Sequence, residues 1–350
     1  MSAATPWWRP DIHYDRRPFL KARTKMAAAA RAFFGAKSFV EVDTAILQVS
    51  PGNEAHISAF ATQMQDETGA GSPLYLHSSP EFAAKKLLAA GEERIFTLEH
   101  AFRNRERGRL HHPEFTMLEW YRAHAPYQRL IEDCAGLLAA TAKAAGCDLL
   151  RHAGCVADPF EEFELLGVAE AFDRHAGVDL LATLDGLTPN RDALADNARR
   201  CGVRVVEDDS WSDLFSKILS AKIEPHLGHG RATILMDYPA SEAALANLQA
   251  DQRLAERFEL YACGVELANG FGELTDPDEQ RRRFEAEMAE RMRIYGEAYP
   301  IDEDFLAALA LMPPASGIAL GFDRLVMLAT GATHIEQVIW TPVVEGVWAK

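Results

Sequence analysis

The chain has 350 residues, of which 48% are hydrophobic and 25% are charged, as in an ordinary globular protein with a core of useful size. Its formal net charge of −16 argues against a protein whose main task is to grip nucleic acid, because phosphate backbones are bound by basic surfaces. The charge favours a small ligand or a basic partner protein, or serves only to keep the surface soluble.

The cysteines and the lengths of the apolar runs indicate the cellular compartment of the protein. There are five cysteines, an odd number, and none form a Cys-x-x-Cys pair, so we expect free thiols in a reducing compartment. Residues 1–10 contain no apolar signal core, and no run of 18 apolar residues occurs. We therefore predict a cytoplasmic protein that does not span a membrane.

The first part of the chain is predicted to alternate helices and strands. Residues 1–20 contain three prolines and two adjacent tryptophans, which favours an N-terminal arm. Apolar periodicity and turn residues predict the following elements: a helix at 22–34, strands at 39–43, 57–64 and 74–77, a helix at 80–89, and strands at 95–102 and 114–122.

The remainder of the chain is also predicted to contain both helices and strands. We predict helices at 128–144, 160–175, 213–226, 277–297 and 322–329, and strands at 232–238, 257–273 (a pair) and 316–320. Strands joined by short loops indicate an α+β fold with a largely antiparallel sheet flanked by helices. We expect one catalytic domain over 21–350, with a helical insertion at about 148–230.

The densest chemistry lies in the loop between the strands at 95–102 and 114–122. It reads FRNRERGRLHHPEF from Phe102 and is basic in an otherwise acidic chain. Arginine side chains offer planar forks that fit phosphate oxygens, and Phe115 can stack on a purine. Neither a P-loop nor a glycine-rich dinucleotide fingerprint is present. From the residues alone, a solvated charged hairpin tip remains the alternative to a phosphate site.

Four segments carry a resemblance to a known family. FRNRERGRLHHPEFTMLEWY (102–121) resembles motif 2 of class II aminoacyl-tRNA synthetases of the lysyl type, and GIALGFDRL (317–325) resembles their motif 3. Residues 23–44 lie where motif 1 belongs, and GVELANGFGEL (264–274) resembles the strand that binds metal and amino acid. The four stand in the family's order over about residues 20–345, which implies a class II catalytic core.

Three features resemble a narrower group, the lysyl-tRNA synthetase paralogues that attach β-lysine to elongation factor P. The chain begins almost at motif 1, which leaves no room for an anticodon-binding domain. Ser79-Pro80-Glu81 replaces the usual Ala-Pro-Glu, and Ala319 replaces a usual glycine near the substrate amino group. The resemblance implies elongation factor P as the partner, makes tRNA an unlikely one, and leaves lysine and (R)-β-lysine both open as substrates.

The implied reaction is attack by the carboxylate of a small diamino acid on the α-phosphorus of ATP, with pyrophosphate leaving. The carboxylate is already a nucleophile, so catalysis consists of positioning and charge neutralisation, and alignment alone can supply about 7–11 kcal/mol. The acyl group then passes from AMP to a lysine side chain of the protein partner. ATP is thus a substrate, and Mg²⁺ is the implied cofactor.

By the same resemblance, Arg103 bridges the α-phosphate and the substrate carboxylate, and Arg324 lies along the β- and γ-phosphates. Phe115 and Arg324 sandwich the adenine, while Gly321 allows the nucleotide a close approach. The resemblance assigns five further residues to ATP: Arg105, Glu106, His112, Glu266 and Leu267.

Arg105 departs from the family pattern, because a glutamate that reads the adenine amino group usually stands there. An arginine side chain cannot accept a hydrogen bond. Either Glu106 takes over this role through a shifted loop, or backbone groups read the adenine.

The amino-acid pocket requires carboxylates, because a buried ammonium without a partner is very costly. The resemblance assigns Glu119, Tyr121 and Glu273 to the distal ammonium. Glu119 and Tyr121 are two apart in a strand, so both lie on one face, as a shared pocket requires. The resemblance further assigns Ser79 and Glu81 to the other amino group and Asn269 to the substrate carboxylate.

Glu259 and Glu266 match the family's metal carboxylates. Their spacing of seven points them to opposite faces of a straight strand, so a bend, bulge or hairpin turn near Cys263-Gly264 must intervene. Mg²⁺ needs only one or two carboxylates beside phosphate oxygens and water.

Two other functions stay open at this point. One is a synthetase-like ligase that acylates another acceptor, and the other is a non-catalytic paralogue that binds lysine or ATP. The resemblance also implies a homodimer, although Ala45 stands where motif 1 usually has an interface proline.

Overall fold

Residues 6–343 are described by a computed structural model of the chain. They form nine α-helices: α1 (Pro10–Ala36), α2 (Glu81–Ala89), α3 (Gln128–Ala145), α4 (Val168–Ala176), α5 (Arg191–Arg200), α6 (Trp211–Ile218), α7 (Pro277–Tyr295), α8 (Glu303–Leu309) and α9 (Phe322–Thr330).

The same part of the chain forms sixteen strands, nine of them only two to four residues long. They are β1 (Val40–Glu41), β2 (Leu47–Gln48), β3 (Phe60–Gln65), β4 (Gly71–Leu76), β5 (Arg94–Phe102), β6 (Glu114–Ala123), β7 (Leu150–His152), β8 (Cys155–Asp158), β9 (Glu164–Gly167), β10 (Leu184–Asp185), β11 (Thr188–Pro189), β12 (Gly230–Arg231), β13 (Thr233–Met236), β14 (Arg257–Ala262), β15 (Val265–Gly272) and β16 (Ala315–Gly321).

An eight-stranded sheet organises the fold, with the strand order β1-β5-β6-β16-β15-β14-β13-β9. Its five central pairings are antiparallel, and the two outermost pairings, β1 with β5 and β13 with β9, are parallel. The predicted α+β fold with a largely antiparallel sheet flanked by helices is therefore confirmed.

The two faces of this sheet have different tasks. On β6 and β16, alternate residues such as Leu118, Trp120 and Ile318 are buried in the main hydrophobic core, together with α1, α3 and α9. The residues between them, including Glu119 and Ala319, face the opposite side, where α2, α7 and α8 form a smaller apolar cluster. The period of the strands thus separates the core from the face that holds the candidate site.

The N-terminal segment differs from the expected arm. Residues 1–5 lie outside the described residues, but α1 begins at Pro10 and runs without interruption through Pro18. A proline inside a helix removes one backbone hydrogen bond, which is why the sequence argued against a helix here. Burial of Arg16 and Leu20 compensates, and the Arg16 guanidinium donates to the backbone oxygens of Ile339 and Trp340.

The segment at about 148–230 contains the expected helices, α4 to α6, but also several short strands. Its own apolar cluster includes Phe172, Trp211 and Phe215. The helix expected at 160–175 starts only at Val168, because the preceding residues form β9 and pair with β13. The assignment of this segment as an insertion in a catalytic domain over 21–350 stays a prediction, and residues 344–350 lie outside the described part.

Two further expectations can be compared with residues 6–343. All five cysteines lie in this range and are free thiols. None of the helices in this range is both long enough and apolar enough to cross a membrane.

Candidate active site

A cavity of about 350 Å³ opens on the polar face of the main sheet. Residues from all the segments that resemble synthetase motifs 2 and 3 and the metal-binding strand meet there. Twelve of the predicted site residues line it: Ser79, Glu81, Arg103, Glu106, His112, Phe115, Glu259, Glu266, Leu267, Asn269, Gly321 and Arg324.

Asp323 ties three segments together behind this cavity. It lies in the first turn of α9, where a negative charge suits the helix N-terminus, and it is buried. Its carboxylate forms an ion pair with Arg23 of α1 and accepts the backbone N–H of Thr116 in β6 (2.8 Å). Arg23 also donates to the Thr116 hydroxyl (2.6 Å). Sequence reasoning missed this residue, although its position beside Arg324 was a usable signal.

Arg324, the next residue, points into the cavity, and the atoms that accept its hydrogen bonds are mostly uncharged. Its guanidinium donates to the backbone oxygen of Glu266 (2.9 Å) and lies 2.8 Å from His111 Nε2. That nitrogen must accept, so the ring is neutral, and both burial and the Arg324 charge lower the pKa of His111. Among residues 6–343, the one carboxylate that pairs with Arg324 is Glu266, at 3.5 Å, so much of the positive charge is available to an anion.

Arg103 approaches the cavity from the motif 2 side. Its Nε donates to the backbone oxygen of Ser78 (3.3 Å), and its guanidinium lies 5.4 Å from the centre of the Phe115 ring. Phe115 was predicted to stack on adenine against Arg324, and here its ring faces Arg103 instead. Both arginines nevertheless line one cavity, as an anionic substrate with several phosphates requires.

The loop presents Glu106 rather than Arg105 to the cavity. Arg105 has a left-handed backbone (φ 64°), and its guanidinium lies 5.9 Å from the centre of the Tyr295 ring, away from the other site residues. Glu106 is among the residues that line the cavity, whereas Arg105 is not. The structure therefore does not bring Arg105 to the predicted ATP site, and its geometry favours the alternative in which Glu106 supplies the acceptor.

His112 lines the cavity but has little hydrogen-bonding capacity left. Its Nδ1 lies 2.5 Å from the backbone oxygen of Glu114, and its Nε2 accepts the backbone N–H of Val343 (3.2 Å). The buried ring thus supports the shape of the loop.

The carboxylates predicted for the substrate ammonium groups lie together at the other end. Glu119 is fully buried and accepts hydrogen bonds from the hydroxyls of Ser79 (2.6 Å) and Tyr121 (2.7 Å). Burial, and then the charge of Glu81, raises the pKa of Glu119 to about 8. Tyr121 and Glu273 meet over Gly317, where a Cβ atom would lie 2.3 Å from each of them.

These three residues do not line the cavity. They lie directly behind its wall, which Ser79, Glu81 and Ala319 help to form. In the sheet, Glu119 is paired with Ala319, which in turn is paired with Asn269. Glu119, Ala319 and Asn269, three residues of the predicted amino-acid pocket, therefore form one row across β6, β16 and β15.

Lys85, which sequence reasoning missed, lies among these carboxylates. Its Nζ is 2.6 Å from Glu81 Oε1 and 2.6 Å from Glu273 Oε2, and its side chain is 1% exposed. Burial alone would lower the pKa of Lys85, but the charges of Glu273 and Glu81 outweigh it and raise that pKa. The ammonium is therefore charged. The spacing of four from Glu81 was the available signal, although it is more typical of exposed helix pairs.

The hairpin of β14 and β15 resolves the spacing of the two predicted metal carboxylates. Cys263 and Gly264 form a two-residue turn with φ of 55° and 71°, and Tyr261 is paired with Glu266. Because Glu259 lies two residues before Tyr261, Glu259 and Glu266 share a face. A hairpin turn at this position was one of the predicted solutions, and it is confirmed.

The two carboxylates differ in how much bonding capacity remains. Glu259 accepts from the Arg257 guanidinium (2.7 Å) and the Tyr261 hydroxyl (2.6 Å), whereas the Glu266 side chain is 40% exposed. Within residues 6–343, no group of three or more His, Cys, Asp or Glu is arranged to hold a metal ion. Two carboxylates do suit Mg²⁺ where phosphate oxygens complete the shell, and Glu266 is the more accessible.

The fold and the cavity define a class of protein. Residues 13–345 match the family model of the tRNA synthetases class II (D, K and N), and the chain belongs to this family. The class II catalytic fold expected from the motifs is thereby confirmed.

Curated relatives cover nearly the whole chain. A protein of Sodalis glossinidius is 39% identical over 337 residues, which are 95% of this chain and 96% of the relative. Proteins of Haemophilus ducreyi (40% over 335 residues, 95% of each chain) and Edwardsiella ictaluri (39% over 337 residues, 95% and 96%) are similarly close. All three bear the name elongation factor P–(R)-β-lysine ligase.

Proposed function

We propose that this chain is an ATP-dependent ligase that activates (R)-β-lysine or lysine as an aminoacyl-adenylate and transfers it to a lysine side chain of elongation factor P. The observation that carries the proposal is that two arginines line one class II synthetase cavity, while the half-buried Glu81 and the buried Glu119 and Glu273 lie in and behind its wall. Carboxylates in that number suit a substrate with two ammonium groups, since a buried ammonium needs a partner. The names of the relatives support the acceptor.

In the first step, the substrate carboxylate attacks the α-phosphorus of ATP, and pyrophosphate leaves. Arg103 and Asn269, which both line the cavity, orient the carboxylate by donating N–H hydrogen bonds from the guanidinium and the side-chain amide. Arg324 neutralises charge on the departing phosphates. No residue needs to remove a proton, because the nucleophile is already an anion, so alignment and electrostatics provide the rate.

Glu266, with Glu259 behind it, is the pair that would hold Mg²⁺ beside the phosphates. When bound, the ion would neutralise phosphate charge. Arg257 and Tyr261 orient the Glu259 carboxylate through the two hydrogen bonds described above.

In the second step, the neutral amine of the acceptor lysine attacks the carbonyl carbon of the adenylate, and AMP leaves. Elongation factor P serves translation, so we place this reaction in the cytoplasm. We also propose a homodimer. Val40, Leu47 and Val49, in and beside the segment that resembles motif 1, are 52%, 49% and 51% exposed, which is unusual for a cluster of large apolar side chains.

Exchange of labelled pyrophosphate into ATP tests the first step. We expect exchange with (R)-β-lysine or lysine, and none with norleucine, which lacks the distal ammonium. Arg103→Ala should abolish it. Arg109→Ala, in the same loop but outside the cavity, is the matched control and should leave it intact. Failure of the wild-type protein to exchange with any diamino acid would contradict the proposal and favour a non-catalytic binding protein.

Transfer of the labelled amino acid identifies the acceptor. We expect label on elongation factor P and none on the lysine-accepting tRNA in parallel reactions. Exchange without transfer to elongation factor P would instead support a ligase with another acceptor.

A further inference from the structure

We propose that Lys85 is a specificity-determining positioning residue, whose fixed ammonium neutralises one of three pocket carboxylates and so leaves room for two substrate ammonium groups. The inference rests on the proposed function, because it concerns the amino-acid end of the same site. Lys85 does not line the cavity, so it acts through Glu81 and Glu273 rather than by touching the substrate.

The geometry shows how one side chain holds two carboxylates. Glu81 lies in the first turn of α2 and lines the cavity, whereas Glu273 follows β15 and lies behind the cavity wall. The Lys85 ammonium is 2.6 Å from an oxygen of each, so it ties the helix to the sheet at this point. Gly317 leaves space for the Glu273 carboxylate to reach this position, because a Cβ atom there would be 2.3 Å from Glu273 Oε1.

The charge count fits a diamino acid. Glu81, Glu119 and Glu273 supply three negative charges when ionised, and Lys85 supplies one positive charge. Two negative charges remain, which equals the number of ammonium groups on lysine or β-lysine. A substrate with one ammonium would leave a carboxylate buried without a partner, which is costly.

The groups in direct contact with the row do not alter this count. Glu54 also lines the cavity, but burial, and then the charge of Glu81, raises the pKa of its carboxyl group towards the neutral form. Glu119 receives hydroxyl hydrogen bonds from Ser79 and Tyr121, which are neutral. Glu99, on the adjacent strand β5, contributes a more distant negative charge and already accepts a hydrogen bond from Thr97 (2.9 Å). Among the residues that the structure describes, Lys85 is therefore the one cation that pairs with any of the three carboxylates, and it pairs with Glu81 and Glu273.

The test compares Lys85→Met with Lys86→Met in pyrophosphate exchange. Lys86 is the neighbouring residue of α2, but its ammonium pairs with Asp302 and Asp304 (2.9 Å each), outside the pocket. We expect Lys85→Met to raise KM for the diamino acid by about 30-fold or more, because truncating one partner of a buried charge pair has effects of this size. KM for ATP should stay within about twofold in both variants, since the arginine end of the cavity is intact.

A conservative variant separates charge from packing. Lys85→Arg keeps the positive charge and should recover most of the lost affinity for the diamino acid, whereas Lys85→Gln, which can only donate neutral hydrogen bonds, should not. A merely structural role would instead raise both KM values together or lower the melting temperature without a selective effect on the diamino acid.

If Lys85→Met fails to fold, the double variant Lys85→Gln/Glu273→Gln keeps the inference testable, because it buries no unpaired charge from this pair. Its loss in affinity should be smaller than the product of the losses in Lys85→Gln and Glu273→Gln. If the wild-type protein catalyses exchange and the Lys85 variants keep an unchanged KM for the diamino acid, this inference is overturned but the proposed function is not. Absence of exchange in the wild-type protein overturns the proposed function and this inference with it.

Discussion

The two ends of the cavity differ in charge, burial and support. At the nucleotide end, Arg103 and Arg324 are partly exposed and bonded mainly to backbone oxygens and a neutral histidine. At the amino-acid end, Glu119, Glu273 and Lys85 are almost completely buried and bonded to one another or to hydroxyls. The flexible phosphates of a nucleotide can adapt to the partly exposed guanidinium groups of the arginines. A substrate ammonium instead needs carboxylates that are already in position. Substitutions should therefore affect ATP at one end and the amino acid at the other.

After Arg103→Ala, Arg324→Ala should have the largest effect, because it removes charge stabilisation at the departing phosphates. We expect kcat/KM for pyrophosphate exchange to fall by about 10²–10³-fold. Arg324→Lys should recover only part of this, since an ammonium cannot reproduce the planar fork that contacts the Glu266 backbone and a phosphate together. Full activity of the alanine variant would remove Arg324 from the mechanism.

Glu119→Gln should act on the amino acid alone. At pH 8.5, where Glu119 is largely ionised, we expect KM for the diamino acid to rise by about 30-fold, with KM for ATP unchanged. The shape of the side chain is kept, so the change reports the charge.

The pH dependence of KM for the diamino acid tests the same difference between the two ends of the cavity. The pKa of Glu119 is raised to about 8, so its carboxyl group is largely neutral below that pH and pairs weakly with an ammonium. In the wild-type protein, affinity for the diamino acid should therefore rise as the pH increases towards 8. Glu119→Gln should lack this rise, as measured by KM between pH 6 and pH 8.5. The same rise in both proteins would assign the titration to another group.

Glu106→Ala and Arg105→Ala test the nucleotide end at finer resolution. Loss of a hydrogen-bond acceptor for adenine in Glu106→Ala should raise KM for ATP by about tenfold. Arg105→Ala should change it by less than about twofold, because that side chain lies over Tyr295, away from the cavity. The reverse ranking would show that the loop rearranges when ATP binds.

Ala319→Gly should have the smallest effect. Ala319 lines the cavity between the Glu119 and Asn269 strands, and the variant removes one methyl group. We expect the preference between (R)-β-lysine and lysine to move towards lysine by about tenfold, at the lower end of the range of about 10–200-fold by which one methylene group in a pocket discriminates. The measurement is the ratio of kcat/KM for the two substrates.

Predictions from the sequence were most accurate where a regular pattern of apolar residues lies in or beside a recognised motif. The strands expected at 95–102 and 114–122 and the helix at 128–144 match β5, β6 and α3 to within one residue at each end. The hairpin around Cys263-Gly264 was one of three solutions, with a bend and a bulge, that the spacing of the two predicted metal carboxylates required.

Errors occurred where distant residues decide the structure. β9 exists because residues almost 70 positions later pair with it, and no local signal reveals this. The start of α1 was missed because Pro18 outweighed the buried contacts that support the helix. Lys85 was overlooked for a related reason, since one of its two partners, Glu273, is remote in sequence.

The β14–β15 hairpin contains one feature that limits how this protein can evolve. Leu260 is paired with Ala268, whereas Tyr261 is paired with Glu266, so Leu267 is an extra residue in β15. This extra residue places Asn269 opposite Glu259. Deletion of Leu267 would turn every later side chain of the strand to the opposite face, including Asn269. Point substitutions can accumulate in this hairpin, but a change in its length would separate the predicted metal carboxylates, Glu259 and Glu266, from the predicted amino-acid residue Asn269.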